Sequence, residues 1–600
     1  MSEPKLSFSK VFWPSFLAVI IASGIAMFFF FIILGGIIGS FDDFGPEPLA
    51  ISDNAILQMK LDGEIQDNGN STFDPASFSV NETMSLSSLI YGLDKAKKDS
   101  KIKGLFIDIG EVQCGFSSAL ALREAIADFQ KSGKFVTAYF SGEMISQKEY
   151  YIGSVAKETY AFPSSAFQLN GIGGEMMFFK SLLDKLDIEV EIVRGSNNDF
   201  KSAVEPFFRT NMSDSSRVQS ERLLHSIWDD MCAEMASSRR LSLVDFNTIA
   251  DSMKVTSTED ALQFKLLDAL KYRDEVMSDL MTKMKVKKEA DLLFYNFEEY
   301  ASTSFLNQQI IIQSQKANVA VIVAEGDVVR EGEGLAADKI CGLFQKVRNN
   351  PSIKTVVFRI NSPGGSALAS EEIWREVALT NKVKKVIVSM GDVAASGGYY
   401  IATPADRIFA ESTTITGSIG VFGMIPYTGK MFENKLGITF DRVGTNSHSV
   451  LSLNKKLSPE ELARVQGEVD LIYDQFLTRV SDGRKLSKER VMQIARGRVW
   501  TGKDALSIGL VDELGSLQDA INYAVKTAVL TDPKIIYYPL IKEDKFAFLI
   551  DLIEEEAEES ETKINSNALP AELVSYYNEI KKIENRMGIQ MRLPFDIKFD

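Results

Sequence analysis

Two glycine-bearing turns in the second half of the chain have the composition of an anion-binding site. Asn361–Ser366 reads NSPGGS and Gly391–Tyr400 reads GDVAASGGYY, and each follows a short run rich in valine and isoleucine. Glycine allows positive φ angles and a close approach to a ligand, and free N–H groups at such turns can hold an anion. These donors suit a phosphate or the oxyanion of acyl transfer. Neither turn has the GxxxxGKS/T or GxGxxG pattern of nucleotide sites, although both could be turns that the fold alone requires.

Ser396 is the candidate nucleophile in the second of these turns. It lies between Ala395 and Gly397 at the predicted start of a helix, where small neighbours leave its hydroxyl accessible. A helix N-terminus also favours developing negative charge. The alternative is a serine that only caps the helix, because serine is a preferred N-cap residue.

Such a serine needs a base. The histidine count disfavours imidazole, because the chain has only His225, in an amphipathic helical pattern, and His448, in a polar stretch. A lysine can serve when burial or nearby positive charge keeps it neutral. Lys201 lies among apolar residues in the sequence DFKSAVEPF, whereas Lys455 and Lys456 lie in a polar stretch. The alternative for Lys201 is a surface lysine that packs its stem on apolar neighbours.

A whole domain is duplicated within the chain, with an offset of roughly 250 residues between the copies. Four segments recur in the same order in both halves. They are Leu61–Ile65 and Ala324–Val328, Ile102–Ile109 and Ile353–Ile360, Glu149–Ser165 and Gly398–Thr414, and Glu259–Leu270 and Lys503–Leu514.

The duplication indicates which copy carries which part of the chemistry. Aligning the shared YYI sequences places Gln147 opposite Ser396, and the first copy reads GEVQCG where the second reads NSPGG. If the glycines served folding alone, both copies would need them. The position that corresponds to Lys201 in the second copy is Leu451. We therefore expect the first copy to supply the base and the second copy to supply the nucleophile.

Short apolar runs alternate with helical patterns in both copies. The predicted strands are Ile56–Met59, Gly104–Ile109 and Phe135–Tyr139 in the first copy, and Val319–Val323, Thr355–Ile360 and Lys385–Met390 in the second. The predicted helices of the second copy are Leu368–Leu379 and Ser458–Val480. Strands separated by helices predict an α/β fold with largely parallel sheets.

The N-terminal residues predict a membrane anchor. Residues 11–41 contain no charged side chain, and the apolar residues 16–38 are long enough to cross a hydrocarbon core of about 30 Å. A cleaved signal peptide would have a shorter apolar region and an A-x-A-like site. Lysines precede the span and carboxylates follow it, which places the bulk of the chain on the far side of the membrane. The expected domains are an anchor (1–41), a first repeat (53–300), a second repeat (317–535) and a helical C-terminal appendage (536–600).

The charge and the cysteine content of the chain argue against several classes of function. A net charge of −16 argues against a nucleic-acid partner. The three cysteines, Cys114, Cys232 and Cys341, are far apart and odd in number, which fits neither a disulfide framework nor a zinc site. We expect no metal and no cofactor.

Four sequence pieces together resemble the signal peptide peptidase A (protease IV) family in its long, double-domain form. They are FKSAVEPF at Phe200–Phe207, INSPGGS at Ile360–Ser366, VAASGGYYIATPADRI at Val393–Ile408 and TGSIGVFG at Thr416–Gly423. The resemblance implies tandem Clp/crotonase-like domains with parallel-rich sheets. It also implies a homotetramer on the periplasmic side of the bacterial inner membrane that degrades cleaved signal peptides.

The resemblance also assigns roles residue by residue. It makes Ser396 the nucleophile and Lys201 the general base, with the backbone N–H groups of Gly365 and Gly397 as oxyanion donors and Gly364 shaping the turn. Whether the dyad forms within or between subunits is left open. Two alternatives are a crotonase-like enzyme that acts on an acyl-CoA thioester and a non-catalytic membrane scaffold. The anchor and the duplication speak against the first, and the intact site residues speak against the second.

Overall fold

The computed structural model describes residues 49–69, 71–74, 79–82, 84–332, 334–539 and 588–592. Its strands, in chain order, are β1 (Ala55–Gln66), β2 (Ser71–Asp74), β3 (Ser79–Glu82), β4 (Met84–Ser85), β5 (Ile102–Gln113), β6 (Phe135–Phe140), β7 (Met144–Ile145), β8 (Glu158–Ala161), β9 (Ala166–Phe167), β10 (Glu189–Arg194), β11 (Ala269–Leu270), β12 (Phe294–Asn296), β13 (Val319–Glu325), β14 (Val328–Val329), β15 (Leu335–Ala336), β16 (Thr355–Ser362), β17 (Gly364–Ser366), β18 (Lys385–Ala395), β19 (Arg407–Ala410), β20 (Ile415–Gly417), β21 (Phe422–Tyr427), β22 (Val499–Thr501), β23 (Glu513–Leu514), β24 (Ile535–Tyr538) and β25 (Gly588–Arg592).

The helices cover the sheets and link successive parallel strands. They are α1 (Leu86–Lys98), α2 (Phe116–Gln130), α3 (Gln147–Gly153), α4 (Lys180–Lys185), α5 (Glu205–Phe208), α6 (Asp214–Arg239), α7 (Leu243–Asp251), α8 (Thr258–Gln263), α9 (Arg273–Met284), α10 (Phe297–Ser314), α11 (Ala337–Asn349), α12 (Ala367–Asn381), α13 (Gly397–Ala402), α14 (Gly429–Leu436), α15 (Pro459–Arg484), α16 (Lys488–Ile494), α17 (Gly502–Ser507) and α18 (Leu517–Thr527). Two 3₁₀ turns, Ser202–Val204 and Glu289–Asp291, complete the described elements.

Two large sheets form the framework. The first has the strand order β11–β8–β6–β5–β1–β12, with β4 beside β1, and all its pairs are parallel. The second has the order β22–β20–β18–β16–β13–β24, with β19 and β23 branching from β18, and only β20 and β22 pair antiparallel. The prediction of an α/β fold with parallel-rich sheets is confirmed.

The strand that leads to Ser396 is longer than the sequence predicts. We expected a strand over Lys385–Met390 and a glycine-bearing turn after it, but β18 continues to Ala395. Its end pairs with β20 in the register Val393 to Ile415 and Ala395 to Gly417. The residues of this extension are mostly small, which lets a second strand approach closely. The local sequence therefore looks like a turn although it forms part of the sheet.

A third sheet joins the two halves and was not predicted. Its order is β10–β21–β25–β17–β14–β15, so β10 of the first half pairs antiparallel with β21 of the second. The C-terminal appendage, predicted as helical over residues 536–600, contributes strands in its described part, namely the end of β24 and all of β25. Its remaining residues lie outside the described ranges.

Buried polar contacts also hold the two halves together. The Arg359 guanidinium on β16 donates to the Asp67 carboxylate, with Nη2 and Oδ1 2.9 Å apart and side chains only 4% and 1% exposed. Asp392 on β18 accepts hydrogen bonds from the backbone N–H and the hydroxyl of Ser118. Because desolvated charges are stable only when they are paired, these contacts fix the approach of the halves.

In the part of the chain that the structure describes, no helix has both the length and the apolar character needed to cross a bilayer. The anchor predicted at residues 16–38 lies outside the described residues and stays a prediction.

Replacing Arg359 with methionine should lower the free energy of unfolding by about 3–5 kcal/mol, because the Asp67 carboxylate would stay buried without its partner. Arg407→Met is the matched control, since Arg407 pairs with the half-exposed Glu513, and it should cost at most about 1 kcal/mol. Equilibrium denaturation of both variants measures the difference. Equal losses would contradict the role assigned to the buried pair.

Candidate active site

Ser396 lies in a strained turn between β18 and α13. Its φ and ψ angles are 55° and −113°, and its side chain is fully buried. A residue other than glycine in such a conformation costs about 1–3 kcal/mol and persists only where the surroundings enforce it. Here the Ser396 N–H donates to the Gly417 carbonyl oxygen at 2.8 Å, next to the point where β18 and β20 pair.

In the first half, the turn that corresponds to the Ser396 turn carries a serine that caps the following helix. Ser146 precedes α3 with an ordinary φ of −76°, and its hydroxyl accepts a hydrogen bond from the Glu149 N–H in a capping box. Ser396 makes no side-chain capping bond to α13. Ser396 occupies the N-cap position of α13, but its hydroxyl does not cap the helix, so the interpretation of Ser396 as a serine that only caps the helix is wrong.

Lys201 is fully buried, so the alternative of a surface lysine is also wrong. It directly precedes the 3₁₀ turn Ser202–Val204, in a loop clamped by the second half. The Phe200 N–H donates to the Arg496 carbonyl oxygen at 3.0 Å, and a β-carbon added to Gly497 would collide with the Lys201 backbone. Gly497, with a φ of 74°, is thus needed for this close approach.

The structure brings Lys201 and Ser396 together within one chain. The lysine Nζ lies 2.7 Å from Ser396 Oγ, 2.9 Å from Ser418 Oγ and 3.0 Å from the Ser418 carbonyl oxygen. Burial holds the pKa of the Lys201 amine well below its usual range. A neutral amine has two N–H donors, which suit the two Ser418 oxygens, and a lone pair that can accept the Ser396 proton.

Ser418 is a site residue that the sequence reasoning missed. It has a φ of 50°, and its N–H donates to the Arg498 carbonyl oxygen at 2.7 Å, which holds both its oxygens against the lysine. The only available signal was its position in TGSIGVFG, one of the four pieces used for the family resemblance. Nothing in the residue type distinguishes it from an ordinary loop serine.

The glycine turn packs against the start of α13. Gly364 and Gly365 have φ values of 98° and 156°, and a β-carbon on Gly364 would lie 2.7 Å from the Gly397 nitrogen. A β-carbon on Gly397 would in turn lie 3.2 Å from the Gly365 nitrogen. The Gly364 N–H is already used, because it donates to Ser362 Oγ at 3.2 Å. Gly397 opens its helix, so its N–H has no acceptor within that helix.

The other residues that the sequence offers as nucleophiles or bases are two cysteines, His448 and two lysines. Burial raises the pKa of the Cys114 thiol to about 12 and that of Cys341 to about 11, which leaves both thiols unreactive. His448 contacts the Glu461 carboxylate at 3.1 Å. Lys455 and Lys456 form ion pairs with Glu461 and Glu189. Among the described residues, no cluster of three or more histidine, cysteine, aspartate or glutamate side chains could hold a metal ion.

Comparison with known proteins places this architecture in a family. The model of peptidase family S49 matches residues 128–287 and 378–531. Protease 4 of Haemophilus influenzae is 33% identical over 527 residues, which cover 83% of each chain. The chain belongs to peptidase family S49. A chloroplastic serine protease, SPPA of Arabidopsis thaliana, is 31% identical over 79% of this S49 peptidase and 69% of its own length.

These relationships support a serine peptidase. Among solved structures, a ClpP1 mutant from Listeria monocytogenes aligns over 98% of its own chain and 37% of this S49 peptidase, at 13% identity and a TM-score of 0.25. That likeness is too low to compare the sites.

Replacing Ser418 with alanine should lower the peptidase kcat/KM by about 100-fold, since a loosened lysine loses its alignment with Ser396. Ser226→Ala is the matched control, because Ser226 is also buried and bonds Thr501 at 3.0 Å across the two halves without touching the lysine. Steady-state hydrolysis of a fluorogenic peptide measures both. Unchanged kinetics in the Ser418 variant would remove this serine from the site.

Proposed function

We propose that this S49 peptidase cleaves peptide bonds with Ser396 as nucleophile and Lys201 as general base. The observation that carries the proposal is the buried contact of 2.7 Å between the amine and the hydroxyl. An amine that burial keeps neutral can accept a proton at physiological pH, which an exposed lysine cannot do. The capping box of Ser146 in the related turn supports the same assignment, because it shows that the fold does not need the Ser396 conformation at both sites.

The proposed reaction is acyl transfer through a covalent intermediate. Lys201 takes the Ser396 proton while Oγ attacks the carbonyl carbon, and the backbone N–H groups of Gly365 and Gly397 bind the resulting oxyanion. The Lys201 ammonium then gives its proton to the leaving amine as the peptide bond breaks. Water attacks the acyl-enzyme with Lys201 again as base, which releases the carboxylic acid product and restores the serine hydroxyl.

The substrates that we propose are cleaved signal peptides at the bacterial inner membrane. Support comes from the motifs shared with the signal peptide peptidase A family and from the uncharged segment at residues 16–38, which would anchor the chain with its catalytic residues on the periplasmic side. The same resemblance supports a homotetramer. No cofactor or metal has a step in this mechanism.

The variants Ser396→Ala and Lys201→Met should each lower kcat/KM by at least about 10⁴-fold, as expected when a nucleophile or its base is removed. Lys456→Met is the matched control, because Lys456 is 61% exposed in an ion pair with Glu189, and its activity should stay at the wild-type level. Hydrolysis of an apolar peptide by purified full-length variants measures the effect. Full activity in either dyad variant would exclude that residue.

A fluorophosphonate probe should label the wild-type chain at Ser396, because the probe reacts with an activated serine hydroxyl. Peptide mapping by mass spectrometry locates the adduct, and Lys201→Met should abolish it while the serine remains in place. An adduct on a different serine would overturn the assignment.

The pH dependence should follow the deprotonation of Lys201. Its lowered pKa means that the amine is protonated and inactive at low pH and becomes a base as pH rises through that value. We expect kcat/KM to rise to a plateau with a midpoint below about 10.4, the ordinary lysine pKa. An acidic optimum measured in constant-ionic-strength buffers would contradict the proposal.

A further inference from the structure

Gln219 is a buried polar residue of α6 to which the proposed mechanism gives no role. Its side chain is almost fully enclosed, with the residue only 1% exposed. The amide nitrogen Nε2 donates to the Phe200 carbonyl oxygen at 3.1 Å and to Ser202 Oγ at 2.9 Å. The amide oxygen Oε1 accepts the Val499 N–H at 3.3 Å. Because a buried polar group without partners is destabilising, these three bonds fix the side chain in one place.

The nature of the partners also fixes the orientation of the Gln219 amide. A carbonyl oxygen can only accept a hydrogen bond, and a backbone N–H can only donate one. Nε2 must therefore face Phe200, and Oε1 must face Val499. Both amide hydrogens are then used within the protein, which leaves none to donate to a substrate.

The two donated bonds hold the residues on either side of Lys201. The Phe200 carbonyl belongs to the peptide group that joins Phe200 to Lys201, and Ser202 opens the 3₁₀ turn that follows. The lysine side chain is a flexible four-carbon stem, so the position of its amine depends on how firmly this backbone is held. Gln219 thus holds the chain immediately before and after the base.

The accepted bond leads from Gln219 to the nucleophile. Val499 lies in β22, where it faces Gly417 of the neighbouring strand β20. The Gly417 carbonyl oxygen in turn accepts the Ser396 N–H at 2.8 Å. One amide group therefore connects the loop that carries the base to the strands that hold the turn of the nucleophile.

The second copy of the domain shows that the fold does not require a buried amide at this position. Helices α6 and α15 each have 26 residues, follow an N-cap serine and end at a left-handed residue. Aligned from end to end, they place Arg464 opposite Gln219. The Arg464 side chain is 81% exposed and pairs with Glu468 on its own helix. The copy that carries Lys201 is thus the one that carries the buried amide.

We propose that Gln219 is a positioning residue that holds the Lys201 amine at hydrogen-bonding distance from Ser396 Oγ. This inference rests on the proposed function. The three bonds of Gln219 go to neither the amine nor the Ser396 hydroxyl, so Gln219 acts through the backbone on both sides of Lys201. Their loss would let the loop move away from the second half and misalign the proton transfer. Water would then reach the amine and raise the pKa of Lys201 toward its ordinary value.

The variant Gln219→Met keeps a side chain of similar size but cannot form these hydrogen bonds. It should lower kcat by about 10- to 100-fold, because a displacement of about 1 Å at a reacting group can cost about 100-fold in rate. KM should change by less than about 2-fold, since the lost bonds do not bind substrate. The acidic limb of the kcat/KM profile should move to higher pH. Steady-state hydrolysis of a fluorogenic apolar peptide by the full-length chain, measured across pH, gives all three quantities.

Ser226→Ala is the matched control. It also removes a buried hydrogen bond between α6 and β22, the one between Ser226 and Thr501 at 3.0 Å, but it leaves the residues around Lys201 untouched. We expect wild-type kcat and an unshifted acidic limb in this variant, and thermal melting of both variants compares their stability. Equal losses of kcat in the two variants would show that Gln219 has only a structural role and would overturn the inference.

Ser202→Ala tests the same hold if Gln219→Met fails to fold. It removes a single oxygen atom, and Gln219 keeps its bonds to Phe200 and Val499. The loss of one hydrogen bond should lower kcat by about 3- to 10-fold and shift the acidic limb in the same direction, to a smaller extent. A wild-type kcat and pH profile in this variant would overturn the inference.

The positioning role and the proposed function fail in different ways. Wild-type kinetics of Gln219→Met, in an assay in which Lys201→Met is inactive, would overturn only the role of Gln219. Full activity of Lys201→Met would overturn the proposed function itself.

Discussion

The burial of the Lys201 amine against residues of the second half is the constraint on which the rest of the structure depends. Lys201 comes from the first half, and its amine contacts Ser396 and Ser418 of the second half. The loop that carries Lys201 is held by the Arg496 carbonyl and fits only because position 497 is glycine. A small separation of the halves would admit water and raise the pKa of the Lys201 amine toward its ordinary value.

The two copies of the duplicated domain differ at the turn that carries Ser396 in the second copy. The first half keeps a regular helix cap at Ser146, whereas the second half places Ser396 in a strained conformation. The strain is tolerable because two features of the surrounding fold enforce it, the pairing of β18 with β20 and the hydrogen bond to Gly417. Buried contacts such as Asp67 with Arg359 then fix the alignment of the halves. The stable interface and the strained site thus lie on the same pair of strands, β16 and β18.

Short sequence patterns predicted individual strands and the α/β class, but they did not predict how distant strands pair. The apolar runs at Val319–Val323 and Thr355–Ile360 are strands, and the alternation of strands and helices gave the α/β class. The third sheet escaped prediction because β10 and β21 lie far apart in the chain, and no short pattern specifies their register. Glycine and alanine in β18 were interpreted as a turn, since their small size conceals strand pairing. Ser418 was missed because its role depends on a contact that only the folded chain creates.

The most direct test of the buried-amine account replaces the amine itself. The Lys201→Cys variant should be inactive. Aminoethylation of the new thiol in the unfolded chain, followed by refolding, should restore an amine at this position, in a side chain that differs from lysine only by a sulfur in place of one methylene. Hydrolysis should return, and the acidic limb of the pH–rate profile should move to lower pH, because the sulfur makes this amine less basic. Wild-type chain treated in the same way controls for the other cysteines. Recovered activity with an unshifted profile, in chains that refold normally, would contradict the claim that Lys201 is the base.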